Sequence, residues 1–140
     1  MKVKNPAILY PVFGLAALTV SILPFILRAR IAASVKREVT PADFRYGESA
    51  RVPGHVSLPN RNYMNLLELP VLFYVICALL YAAEAATPLL VQLAWAYVGL
   101  RAAHSLIHLS YNNVLHRLAA FAASNVVLVL LWVMAGTVLL

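Results

Sequence analysis

Nine polar residues stand in otherwise apolar surroundings in this chain: Arg61, Asn65 and Glu68; Arg101, His104 and His108; and Arg117, Ser124 and Asn125. Their spacing groups them. Arg61, Asn65 and Glu68 fall at i, i+4 and i+7, and Arg101, His104 and His108 at i, i+3 and i+7, so each trio shares one face of a helix. A charged side chain at the centre of an inserted helix costs about 2.5–3.5 kcal/mol, so such groups pair with one another or line a wet cavity. The residues leave three readings open. Glu68 and Arg101 can form an ion pair that ties two helices together, Arg61 and Arg117 can snorkel from helix ends, or all of them can converge on a pocket. His104 and His108, four residues apart, also have metal-ligand spacing. The chain has only four histidines, with His55 in a loop, and no metal site is expected.

The elements that must position these residues are membrane helices. The chain has 140 residues, of which 63% are hydrophobic and 11% charged, with a mean hydropathy of +0.82. A soluble domain carries about 25% charged residues, and one this small and this apolar would aggregate in water. Lipid is the simpler solvent. Four spans are expected: Ala7 to Leu27, then about 61–83, 88–111 and 116–140, in one all-α domain over residues 1–140. The first has no charge over 21 residues, a helix of about 31 Å, enough to cross a bilayer core. The segment 28–60 reads as one long polar loop, whereas the connectors near Glu84–Thr87 and Asn112–Leu115 are short and make the last three helices antiparallel neighbours. Cys77 has no second cysteine to pair with. The small residues Gly14, Ala16, Ala17, Ala119, Ala120, Ala122 and Ala123 allow close helix approach.

Lys2 and Lys4 before the apolar run resemble a signal peptide, but the run is long and Arg28 and Arg30 follow it directly, so a retained helix is expected. Seven of the eleven basic residues lie between Arg28 and Arg61. They read as topology and lipid-contact signals rather than a nucleic-acid surface, since no nucleic-acid-reading motif accompanies them. The positive-inside rule puts loop 28–60 in the cytoplasm and both termini outside. Glu68 then lies about 10 Å below the cytoplasmic start of the second helix. His104 comes to a similar depth as the third helix runs back.

At these residues the chain resembles the MAPEG family, the membrane-associated proteins of eicosanoid and glutathione metabolism. The stretch Arg61-Asn-Tyr-Met-Asn65-Leu-Leu-Glu68-Leu-Pro70 is similar to the family's Arg-x3-Asn-x2-Glu pattern, and Arg101-Ala-Ala-His104-Ser-Leu-Ile-His108 with Arg117 is similar to its later polar positions. Asp43-Phe-Arg-Tyr-Gly-Glu48 looks like the bacterial branch. The resemblance implies a homotrimer in a bacterial inner membrane, with glutathione as cosubstrate between subunits. It implies that Arg61, Asn65, Glu68, Arg101, His104 and His108 contact glutathione and that Arg117 holds its sulfur as thiolate. The activity implied is a glutathione transferase or peroxidase acting on a small lipophilic substrate from the bilayer. His108 and Phe121 stand where other members often have tyrosines, with Tyr111 one turn beyond His108. These departures keep a non-catalytic lipid-binding scaffold as the alternative. A transporter is the weaker third reading, since no inverted repeat is present.

Overall fold

The computed structural model describes residues 5–140. Lys2 and Lys4, which enter the signal-peptide and orientation readings, lie outside the described residues. The architecture is an all-α bundle: α1 (Leu9–Val35, after a 3-10 turn at Pro6–Ile8), α2 (Gly54–Leu67), α3 (Pro70–Ala82), α4 (Pro88–Leu109) and α5 (Val114–Leu139). Helices α2 and α3 are two halves of one broken rod. Its length and composition, like those of α1 and α5, suffice to cross a membrane. Helix α4 falls short of that apolarity, because Arg101, His104 and His108 all lie on it.

Several boundaries differ from the sequence expectation. Arg28 and Arg30 do not end the first helix, which continues to Val35, since arginine and the alanines after it are good helix formers. The second helix begins at Gly54 rather than near Arg61. Pro59 sits inside it; the missing N–H leaves only the carbonyl of exposed His55 without its intrahelical donor. The connecting loop is therefore residues 36–53 rather than 28–60.

That loop is tightly built. Arg37 takes a left-handed conformation at φ 59°, and the N–H groups of Arg37 and Glu38 return to Ser34 and Ala33 at 3.0 and 2.9 Å, closing α1. Buried Asp43 is the hub. Its carboxylate accepts from the Thr40 N–H and hydroxyl at 2.8 and 2.9 Å, the Ser49 hydroxyl at 2.9 Å and Arg51 at 2.7 Å. The Thr40 N–H first, then the two hydroxyls and Arg51, hold this carboxyl well below the usual carboxylate range, against the opposing effect of burial. Stability drawn from such a group is present above its unfolded pKa of about 3.9 and is lost as pH falls through the lower folded value. The loop of the wild type is thus expected to resist proteolysis at pH 5 to 7 and to loosen only well below pH 4. Asp43→Asn should be cut readily at Arg45 and Arg51 by trypsin at neutral pH; equal digestion of both proteins would refute this account.

The core lies between the helices, and their outer faces stay apolar. Leu15, Phe73, Leu80, Leu90, Tyr97 and Leu131 are fully buried, while Phe13, Val20, Leu27, Leu106, Val129 and Val133 point outward, as a lipid solvent permits. Close approach is visible at Gly14, where an added Cβ would meet the Trp95 ring at 3.2 Å. Helices α4 and α5 form the most extensive pairing, followed by α1 with α2.

Candidate functional site

The break in the second rod shapes the site. Glu68 leaves helical geometry at ψ −99°, and Pro70 starts α3. The Pro70 ring has no N–H for the Leu66 carbonyl, and the turn at Glu68 also takes the Leu69 N–H away from the Asn65 carbonyl. Inside a membrane such freed carbonyls need another donor. The Arg101 guanidinium supplies it, donating from α4 to the Asn65 carbonyl. Arg101 is fully buried, and its Nε and Nη1 have no hydrogen-bond partner in the protein. Its guanidinium lies 5.5 Å from the Phe121 ring centre. The Glu68–Arg101 ion pair, one of the readings of the sequence, is not formed. Among the described residues the ion pairs are Arg30–Glu48, Arg51–Asp43 and His55–Glu38, all at the loop end.

Beside the break opens a cavity of about 780 Å³ whose wall includes Arg61, Asn65, Glu68, His108, Asn112 and Arg117. The shared face of Arg61, Asn65 and Glu68 thus reaches one space, although Glu68 sits just past the end of α2. A smaller hollow of about 210 Å³ shares Asn65, Val114 and Arg117 with it and adds His104, Leu118 and Phe121. Arg117 therefore stands at the junction of a polar chamber and a more apolar one. Arg101 lines neither chamber; it supports the wall from behind. Of the sequence-predicted set, five residues meet in the large cavity, His104 in the adjoining hollow, and Arg101 in the core.

The histidines are fixed differently. His104 Nδ1 lies 3.1 Å from the Arg117 carbonyl, and since a carbonyl only accepts, that nitrogen carries the proton. The contact ties the first turn of α5 to α4. The His108 ring packs edge-on against His104, with centres 5.6 Å apart. His108 is buried and neither of its nitrogens has a protein partner. Arg117 Nη1 donates to Asn112 Oδ1 at 2.8 Å, and the Asn113 side chain caps α5 by accepting from Leu115 and His116 at 3.0 and 3.1 Å. Tyr111 turns away, hydrogen-bonded to His116 at 3.0 Å on the exposed side. Phe121 lies between Arg101 and His104, 5.8 Å from the latter's ring.

Two polar residues escaped the sequence reading. Asn112 orients Arg117, and its signal was the Asn112–Asn113 pair before an apolar run, a helix-start pattern. Asn62 is fully buried with both amide atoms unpartnered. It lies off the Arg61–Asn65–Glu68 face, so face-sharing could not find it. Among the described residues no group of three or more metal-ligating side chains is present.

The chain matches the MAPEG family over residues 8–137, nearly its whole length. It belongs to the MAPEG family. No curated protein and no solved structure matches the chain. MAPEG members include glutathione transferases and peroxidases as well as non-catalytic proteins, and the family is associated with glutathione in general. As a MAPEG protein with apolar, membrane-crossing helices, this chain is an integral membrane protein.

Proposed function

We propose that this MAPEG protein binds glutathione in the large cavity and activates its thiol for reaction with lipophilic electrophiles, as a transferase or peroxidase. The observation that carries the reading is the convergence of Arg61, Asn65, Glu68, His108 and Arg117 on one space of about 780 Å³, a size suited to a small ligand. The donor set fits the tripeptide. Glutathione offers one ammonium group, two carboxylates and a thiol. Glu68 takes the ammonium, Arg61 and His108 bind carboxylate and peptide groups, and Arg117 faces the sulfur. A thiol has a pKa of about 8.5, and each unit of lowering takes about 1.36 kcal/mol; a guanidinium supplies this because it stays charged in apolar surroundings. The adjoining hollow, with Leu118 and Phe121, receives the lipophilic partner beside the sulfur. Arg101 and His104 act through Asn65 and the backbone of Arg117.

Assembly as a homotrimer with the cavity at a subunit boundary is part of this proposal. It is supported by the exposure of Arg61 and Glu68 on the cavity wall and of Ala119, Ala122 and Ala123 on α5, small residues that admit a close helix from a neighbour. The proposed orientation keeps the basic loop on the cytoplasmic side of a bacterial inner membrane.

One observation favours a second reading. Phe121 has no hydroxyl and Tyr111 is engaged elsewhere, so no tyrosine lines either chamber. A lipid-binding scaffold would use Arg61 and Arg117 for a fatty-acid carboxylate. Isothermal titration of glutathione into detergent-purified protein decides between them. Saturable binding that weakens about tenfold in Glu68→Gln, the loss of one charge-assisted contact, supports the enzyme. Fatty-acid binding with no glutathione signal moves the assignment to the scaffold.

A further inference from the structure

The loop-bearing end of the bundle carries positive charge that its own carboxylates do not cover. From Arg28 to His55 the acidic residues are Glu38, Asp43 and Glu48. Each is engaged already, by His55 at 3.2 Å, Arg51 at 2.7 Å and Arg30 at 3.3 Å. Arg28, Lys36, Arg37 and Arg45 are left without a carboxylate at ion-pair distance among the described residues.

Arg28 differs from the other three in its surroundings. Two grooves meet at it. One, of about 390 Å³, runs between α1 and the start of α2, past Phe25, Ala29, His55, Leu58 and Leu109. The other, of about 430 Å³, follows the outward side of α1 over Pro24, Leu27 and Ile31. Arg28 and Ala32 belong to both walls, and Arg28 is the one charged residue lining the second. Its depth is also set. The charge-free run from Ala7 to Leu27 is 21 residues, about 31 Å of helix, which matches the hydrocarbon core of a bilayer and brings Arg28 to headgroup level.

We propose that this junction binds one anionic diacyl phospholipid, with its phosphate on the Arg28 guanidinium and one acyl chain in each groove. Two grooves that share one guanidinium suit a two-chain amphiphile, the second apolar apart from Arg28 and the first also carrying His55, which faces Glu38. The planar guanidinium fork matches phosphate oxygens bidentately. With no carboxylate at ion-pair distance, the Arg28 guanidinium favours a headgroup with net negative charge over a zwitterionic one, whose own cation it repels. The first groove shares His55 and Leu58 with the glutathione cavity, but Arg28 does not line that cavity and the proposal does not depend on that assignment.

Native mass spectrometry of the full chain in detergent, supplied with phosphatidylglycerol and phosphatidylcholine of identical acyl chains, tests the proposal. The wild type should retain one phosphatidylglycerol per chain in preference to phosphatidylcholine. Arg28→Gln should lower that preference about fivefold or more, the weight of one basic residue at an anionic surface. Ala32→Phe, which fills the junction, should reduce retention of both lipids. Arg37→Gln lies more than about 10 Å further along, beyond a Debye length of about 8 Å, and should leave the preference intact. Equal retention of the two lipids by the wild type overturns the proposal. So does an equal loss in Arg28→Gln and Arg37→Gln, which would mean diffuse attraction to the whole basic end. A change in oligomeric mass in Arg28→Gln or Ala32→Phe without any change in lipid retention would make the grooves a contact between copies, and the proposal would fail.

Discussion

Arg117→Ala is expected to lower the turnover of glutathione conjugation about 10²–10³-fold, the usual cost of removing one preorganised group from a developing or stabilised anion. The guanidinium is held for that role by the 2.8 Å bond from Nη1 to Asn112, which leaves its remaining donors for the sulfur. The bundle should survive the change. His104 bonds the backbone carbonyl of residue 117 rather than its side chain, and the Asn113 cap on α5 does not involve the guanidinium. Steady-state rates with an aromatic electrophile, read beside the ultraviolet absorbance of the thiolate and the oligomeric mass, check this. Turnover and thiolate signal unchanged in a correctly assembled variant would sink the thiolate mechanism.

Arg101→Met should weaken glutathione binding by tenfold or more, although Arg101 lines no cavity. Two stability effects oppose each other. Removing a buried charge relieves about 2.5–3.5 kcal/mol on insertion scales, while the orphaned Asn65 carbonyl costs about 1–3 kcal/mol. They nearly cancel, so the melting temperature should move little. The geometry does not cancel. Without the guanidinium, no hydrogen bond from α4 reaches the break between α2 and α3, and Asn65 and Glu68 lose their setting in the cavity wall. One misplaced charge-assisted contact, at about 1.5–3 kcal/mol, already accounts for tenfold. Arg101→Lys keeps a donor for the carbonyl and should recover most of the affinity. Calorimetric titration and thermal unfolding of the three proteins separate the cases: a large fall in melting temperature with normal binding by the folded fraction would mean that Arg101 serves the fold alone.

These two residues also mark how far the sequence carries. Helical spacing grouped Arg61, Asn65 and Glu68, and the three line one space, because positions along and just past α2 are set locally. The same rule failed for Arg101. It shares a face with His108, yet seven residues of rise, about 10 Å, put it two turns deeper, behind the cavity rather than in it. Which partner it takes depends on where another helix breaks, and that is tertiary information. Pro70 entered the sequence reading only as part of the family-like stretch, inside a span expected to be continuous; the break, and the freed Asn65 carbonyl that needs Arg101, follow once the backbone is traced. The loop was misjudged for a similar reason. Gly54 and Pro59 are common in turns, so residues 54–60 read as connector, but Val56 and the Pro59 ring are buried there and packing outweighs propensity. The hydrophobic spans were visible because lipid demands apolar runs regardless of neighbours.

The polarity of α4 has a consequence for how the protein enters its membrane. A helix with an arginine and two histidines gains little by partitioning into lipid alone; on insertion scales the arginine by itself offsets several leucines. Helix α5 follows after a connector of four residues, is far more apolar, and forms α4's most extensive packing partner. Translocated as a hairpin, the pair lets α5 carry the hydrophobic load while Arg101 is received by the Asn65 carbonyl and His104 by that of Arg117. The residues that build the site are thus the ones that make α4 a passenger during biogenesis, dependent on its neighbours for a place in the bilayer.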